Sequence, residues 1–167
     1  ALVGSDYETA RVSLATSLDL KGLELEPAET KAAEGDSTEL KRVRKQLLQV
    51  KDYLGTSYVA LRDFRSARPI YKDLLEQDPE NHVARYRMGY MDVVNQSWNS
   101  AIQHLRVAVR IKPDNASYHL MLAQAYTNSQ QLAPAVREYR EVLRIQPGNQ
   151  TARDQLNTVQ EALDAQD

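Results

Sequence analysis

Pro79, Pro113 and Pro147 lie 34 residues apart, and each opens the same short phrase: Pro79-Glu80-Asn81, Pro113-Asp114-Asn115 and Pro147-Gly148-Asn149. The period extends to Ala67, Ala101 and Ala135, to the bulky Phe64, Trp98 and Leu132 three places before them, and to Tyr71, Leu105 and Tyr139 four places after. Three copies in register constrain the fold more than any other feature of this chain. A unit of this size holds two short helices and cannot bury its own apolar face, so neighbouring units must stack.

Each copy reads as a helix pair. Asn81, Asn115 and Asn149 suit an N-cap, where a side-chain oxygen accepts from an otherwise unpaired backbone N–H of the first turn. The prolines before them stop the preceding helix, because proline lacks the N–H that would continue it and biases its predecessor toward extended geometry. Leu47, Leu54 and Tyr58 in the first copy, and Leu122 and Tyr126 in the third, recur at three- and four-residue steps, marking one apolar helical face. Polar turns at Arg62-Asp63, Asn95-Gln96-Ser97 and Asn128 to Gln131 divide the first helix of each pair from the second. Small residues mark the helix crossings: Gly55, Gly89 and Ala123 in the first helices, Ala67, Ala101 and Ala135 in the second. Pro69 lies beyond the first turn of its helix and predicts a local kink.

The phrase Leu54-Gly55-x-x-Tyr58, with Ala67, Tyr71 and Pro79 at their spacings, resembles the tetratricopeptide repeat (TPR). Leu122-Ala123-x-x-Tyr126 with Ala135, Tyr139 and Pro147 is similar, and the second copy keeps Met88-Gly89, Ala101, Ala108 and Pro113. Asp92 stands where that copy should carry an aromatic, and the tryptophan usual near the start of the first helix is replaced by Lys51, Arg85 and His119. The resemblance implies an all-α fold, a right-handed α-solenoid of stacked antiparallel helix pairs, with three repeats at about 48–81, 82–115 and 116–149 inside a 38–149 domain. Residues 150–167, with Ala152, Leu156, Val159 and Leu163 on one face, read as a C-terminal capping helix.

Toward the other end, Tyr7-Glu8-Thr9-Ala10 and Leu14 repeat the spacing of Phe64, Ala67 and Tyr71. Residues 1–37 are accordingly expected to hold the second helix of a degenerate half repeat and a linker over 28–37, as in a fragment or processed form of a longer protein. Asp36 and Glu39 form a capping-box pattern, and Leu40, Val43, Leu47 and Leu54 share a face of a helix starting near Thr38.

Composition removes other readings. With 42% apolar and 26% charged residues in 167, the chain suits one globular domain that folds without a partner. No apolar run approaches the roughly 18 to 20 residues that cross a bilayer, so no direct membrane insertion is expected. There is no cysteine, which excludes disulfides, thiolate metal sites and cysteine nucleophiles and fits cytoplasm and periplasm equally. A net charge of −2 offers no general attraction to phosphate backbones, so nucleic acid is not an expected partner. His82, His104 and His119 have no metal-site spacing, and no phosphate-binding glycine phrase occurs, so no enzyme activity, cofactor or metal is expected. The cluster Lys41-Arg42-x-Arg44-Lys45 reads as the solvated side of an amphipathic helix, with no aromatic stacking platform beside it.

In TPR proteins the first helix of each pair lines the concave face. By resemblance the groove presents Gln49, Asp52 and Thr56, then Val83, Tyr86, Arg87 and Tyr90, then Ser117, Leu120, Met121 and Gln124. Tyrosine, methionine and arginine are favoured at protein interfaces for their contact area and adaptable or polar tips. Chaperone-binding members hold C-terminal carboxylates with Lys, Arg and Asn at such positions, and this groove offers Arg87 alone. The expected function is therefore a non-enzymatic protein–protein interaction scaffold, an adaptor or assembly factor gripping an apolar or amphipathic peptide or helix. The alternative is a homo-oligomeric structural scaffold self-associating through the incomplete N-terminal repeat. If Tyr86 and Tyr90 serve binding, replacing both with alanine weakens it and leaves melting nearly unchanged; if they pack between repeats, the fold suffers.

Overall fold

The structure, a computed structural model, describes residues 38–166. The expectations for residues 1–37, including the half repeat, the linker and Asp36 of the capping box, lie outside the described residues, as do the side chains of Leu40 and Val43. The described chain is helical throughout, with no strand: α1 (Thr38–Ala60), α2 (Phe64–Gln77), α3 (His82–Val94), α4 (Trp98–Ile111), α5 (Ala116–Asn128), α6 (Leu132–Ile145) and α7 (Gln150–Asp164). The described residues divide into two compact units, with the boundary between Pro79 and Glu80.

The helices start where the capping residues place them. The side chain of Asn81 accepts from Ala84 N at 2.9 Å, that of Asn149 from Ala152 N at 2.9 Å, and that of Asn115 from Ser117 N at 3.1 Å and Tyr118 N at 3.3 Å. Each satisfies first-turn donors with no intrahelical partner. Replacing any of the three with alanine is expected to cost about 1 kcal/mol, read by urea or thermal unfolding. Ser97, which precedes α4 without a side-chain cap bond, should tolerate the same change with a much smaller loss.

The turns inside the pairs share one geometry. Arg62, Gln96 and Gln130, spaced 34 apart, take left-handed backbone with φ of 59°, 57° and 61°. The next N–H of each turn, from Asp63, Ser97 and Gln131, reaches back to the carbonyls of Tyr58, Asp92 and Tyr126 at 2.9, 2.8 and 2.9 Å. This closes the helix end in the manner of a Schellman motif. All three positions carry long polar side chains where glycine is the common choice, so the turn is imposed by the packing of the two helices it joins. Asn128, read from sequence as part of a turn, is the last residue of α5.

In the first unit α1 packs on α2 around Leu54, Val59, Ala67, Tyr71 and Leu74, all buried. Lys51 Nζ donates to Asp73 Oδ2 at 2.6 Å, and Thr56 Oγ1 lies 3.2 Å from the Tyr71 hydroxyl, adding polar ties between the two helices. Helix α2 runs on through the exposed Pro69 to Gln77.

In the second unit α3 packs on α4, α4 on α5, α5 on α6 and α6 on α7. One continuous core joins Ala101, Leu105, Leu122, Ala123, Tyr139 and Val142, extended by Ala152 and Val159 of α7. The predicted crossing residues are where the helices meet: Ala67, Ala101, Ala123 and Ala135 have no exposed surface. A Cβ on Gly89 would lie 2.6 Å from Leu105 Cγ, and one on Gly55 2.9 Å from Tyr71 Cζ.

Candidate functional site

Positions 83, 86, 87 and 90 of α3, and 117, 120, 121 and 124 of α5, each follow the i, i+3, i+4, i+7 spacing that keeps side chains on one helical face. The two helices are the first members of their pairs and contact one another directly. Val83, Tyr86, Arg87 and Tyr90 are half-buried, as are Leu120, Met121 and Gln124, and Ser117 is exposed. In the first unit Gln49 is exposed and Asp52 and Thr56 are half-buried on α1.

An aromatic pair joins α3 to α5. The rings of Tyr86 and Tyr118 stack with centroids 4.7 Å apart and planes inclined by 23°. The Tyr118 hydroxyl lies 2.9 Å from His82 Nδ1, so the buried ring is also tied to the first turn of α3. Stacking of this kind adds about 0.5–1.5 kcal/mol beyond the area it buries. Burial holds the Tyr86 phenol above its ordinary range, with the nearby Arg87 charge opposing the rise and Tyr90 adding to it. Tyr118 was missing from the residues expected at this face. Its signal was weak, since it sits on the core side of α5 and reaches Tyr86 only through the stacking of two helix pairs.

The face is partly structural. Tyr86, Leu120 and Met121 all pack against the core of the second unit. Of the two outcomes set out for a Tyr86/Tyr90 double variant, the packing of Tyr86 favours a loss of stability, because removing its ring removes the stack and a share of the core. Arg87 differs, because its Nε is buried and has no hydrogen-bond partner in the structure. A shielded donor left unsatisfied is costly.

Behind the face lie two polar clusters that sequence reading did not assemble. Asp92, at the position expected to be aromatic, is 3% exposed; it accepts from Ser100 Oγ at 2.5 Å, and His104 Nε2 stands 3.9 Å away. A carboxylate thus replaces an aromatic by taking partners from the facing helix α4. His119 is also buried, and both ring nitrogens are engaged: Nδ1 lies 2.6 Å from Glu138 Oε2 and Nε2 2.9 Å from the Pro113 carbonyl oxygen. The hydrogen bond to Glu138 is the largest influence holding His119 above its ordinary pKa; burial opposes it, and the Pro113 carbonyl and the charges of Glu138 and Glu141 add to it. Among the described residues no group of three or more His, Asp or Glu side chains is placed to hold a metal ion, and no helix is long and apolar enough to cross a membrane.

Comparison with known proteins agrees with this architecture. Sequence profiles of the tetratricopeptide repeat match residues 54–116 and 116–149, together more than half of the chain. No curated protein matches the sequence. Among solved structures, the first TPR of Spaghetti (RPAP3) bound to the HSP90 peptide SRMEEVD aligns with a TM-score of 0.67 at 22% identity, covering 71% of this chain and 94% of that one. The second TPR domain of human RPAP3, in complex with the HSP70 peptide SGPTIEEVD, aligns with a TM-score of 0.62 at 17% identity, covering 66% of this chain and 92% of that one. The MamA protein aligns with a TM-score of 0.66 at 19% identity, covering 84% of this chain and 81% of that one. At these identities the likeness is one of fold. The repeat period, the capped helix pairs, their stacking and the matching profiles make this chain a member of the tetratricopeptide-repeat family.

Proposed function

We propose that the protein is a non-catalytic interaction scaffold, and that the face formed by α3 and α5 binds a short segment of another polypeptide. The observation that carries this reading is the row of half-buried Val83, Tyr86, Tyr90, Leu120 and Met121 beside the half-buried Arg87. Such a row offers apolar contact area beside one guanidinium, which suits an amphipathic segment that places an acceptor next to apolar side chains. The solved relatives with HSP90 and HSP70 peptides support peptide binding as a use of this fold. They do not identify the partner here, whose recognition is argued from the face itself. Gln49, Asp52 and Thr56 of α1 are proposed as further contacts in the first unit, and assembly or adaptor work as the setting.

The test is selection from a displayed random-peptide library, followed by affinity measurement on variants. Selected peptides should carry apolar residues at helical or alternating spacing. A Val83→Glu/Arg87→Ala variant should bind them at least tenfold more weakly, a loss of about 1.4 kcal/mol, while its melting temperature changes little. Tyr86 is left intact because it also supports the core. No enrichment of any peptide, or enrichment indifferent to these substitutions, would overturn the reading.

A further inference from the structure

We infer that His119 is a proton-dependent clamp on α5, and that losing one proton loosens the helix carrying Ser117, Leu120, Met121 and Gln124. The geometry of the ring points to this. Nε2 faces a backbone carbonyl oxygen, Pro113 O, at 2.9 Å, a group that only accepts. Nε2 must therefore carry a hydrogen. Nδ1 lies 2.6 Å from Glu138 Oε2, and a nitrogen and a carboxyl oxygen that close need a proton between them. Whichever atom holds it, the ring and the carboxyl share one proton beyond those of neutral imidazole and free carboxylate. Without it, a ring lone pair faces a carboxylate oxygen in a setting where His119 is 5% exposed, and water has little access to separate them.

The clamp joins three pieces of the second unit: the turn after α4 through Pro113, α5 through His119 and α6 through Glu138. The charged groups acting on the ring are Glu138 and Glu141, both on α6, and both favour the added proton. From the α4 side the ring meets the uncharged Pro113 carbonyl.

The repeat supplies a comparison within the molecule. Lys51, Arg85 and His119 occupy one position, 34 residues apart. In the first copy Lys51 ties the first helix to the second through Asp73 at 2.6 Å; Asp73 occupies the repeat position of Glu141, three residues after Glu138, so the two ties share the cation position but not the carboxylate position. Lysine and arginine stay charged across the physiological range, whereas histidine changes charge within it. The third copy thus has a first-to-second-helix tie of the same kind, made with the one cation that can be switched off.

The direction follows from linkage. Histidine in the unfolded chain titrates near its ordinary value of about 6.5, and in the fold its value is raised. The stabilisation is therefore fully present below about pH 6.5 and is lost as pH rises through the folded value. Each unit between the two values corresponds to about a tenfold change in the folding equilibrium.

The test uses the full chain. Nitrogen-15 NMR of the His119 ring across pH 5.5 to 9 should show a titration point above about 6.5, lowered by Glu138→Gln. Amide hydrogen exchange, corrected for intrinsic rate, should show α5 losing protection relative to α3 through that titration. His119→Lys, which installs the residue of the first copy, should flatten this loss. A ring that titrates at or below its ordinary value, or α5 protection that falls equally in His119→Lys, would overturn the clamp. If His119→Lys does not fold, the wild-type titration and the Glu138→Gln shift still decide. The consequence for ligand binding rests on the function proposed above: a peptide selected at pH 6 should bind more weakly at pH 8.5. Ring titration and exchange need no ligand, so failure of the clamp and failure of the groove are told apart.

Discussion

Gly89→Ala is expected to destabilise the second unit by about 1–3 kcal/mol, the usual cost of forcing an extra methyl group into a packed core. The sign makes the experiment informative. In a helix interior alanine is favoured over glycine by about 0.8–1.0 kcal/mol, so propensity alone predicts a gain. Packing predicts the reverse: the new Cβ would lie 2.6 Å from Leu105 Cγ, 2.9 Å from Leu105 Cδ2 and 3.4 Å from the Ala101 carbonyl oxygen. Leu105 is wholly buried, so the branch point of its side chain has little room to yield. Adding Leu105→Ala should relieve the contact, and the double variant should cost less than the two single variants summed, with a coupling of about 0.5–3 kcal/mol. Gly148→Ala is the control. No atom lies within 4 Å of its added Cβ, so stability should stay level or rise by about 0.4–1 kcal/mol. Urea unfolding of the four variants checks the set, and a Gly89→Ala protein at least as stable as wild type would remove the close-crossing account.

Tyr139→Ala carries the other large effect, a loss of about 3–5 kcal/mol by analogy with other buried aromatic truncations. Tyr139 has no exposed surface and lies in the core cluster where residues of α4, α5, α6 and α7 meet. Its removal leaves a cavity that these neighbours can fill only by moving together. Domains of ordinary size hold about 5–15 kcal/mol in total, so the variant should sit near the edge of folding. In a stacked array stability is roughly a sum of repeat and nearest-neighbour contributions, and the damage should appear first in α5 to α7. Hydrogen exchange along the chain would show it, with α7 losing protection once α6 no longer supports Ala152 and Val159. A loss below about 1 kcal/mol would mean that the ring is not the packing centre its burial implies.

Much of this was legible in the sequence because the signals are local. A Pro-x-Asn phrase acts on the backbone within one turn of itself, so Asn81, Asn115 and Asn149 are legible as caps from the sequence, and each accepts from its own first turn. The resemblance to the tetratricopeptide repeat grouped Val83, Tyr86, Arg87 and Tyr90, and small residues every 34 positions located the crossings. The partition of roles within the face could not be read. Tyr86, Leu120 and Met121 have the composition of a binding surface, yet they also pack on the core. Composition does not distinguish an apolar side chain that meets a neighbouring helix from one that awaits a ligand.

What the sequence determined by itself was the repeat, its helical content, the starts of its helices and the family, since periodicity, capping and proline effects act over a few bonds. Only the tertiary structure decided that Tyr118 stacks on Tyr86, that Asp92 is held by Ser100, and that His119 is gripped by Glu138 and Pro113. Those partners lie 6 to 32 residues apart along the chain. Their meeting depends on how one helix settles against the next, and that is fixed by the summed packing of the core rather than by any local phrase.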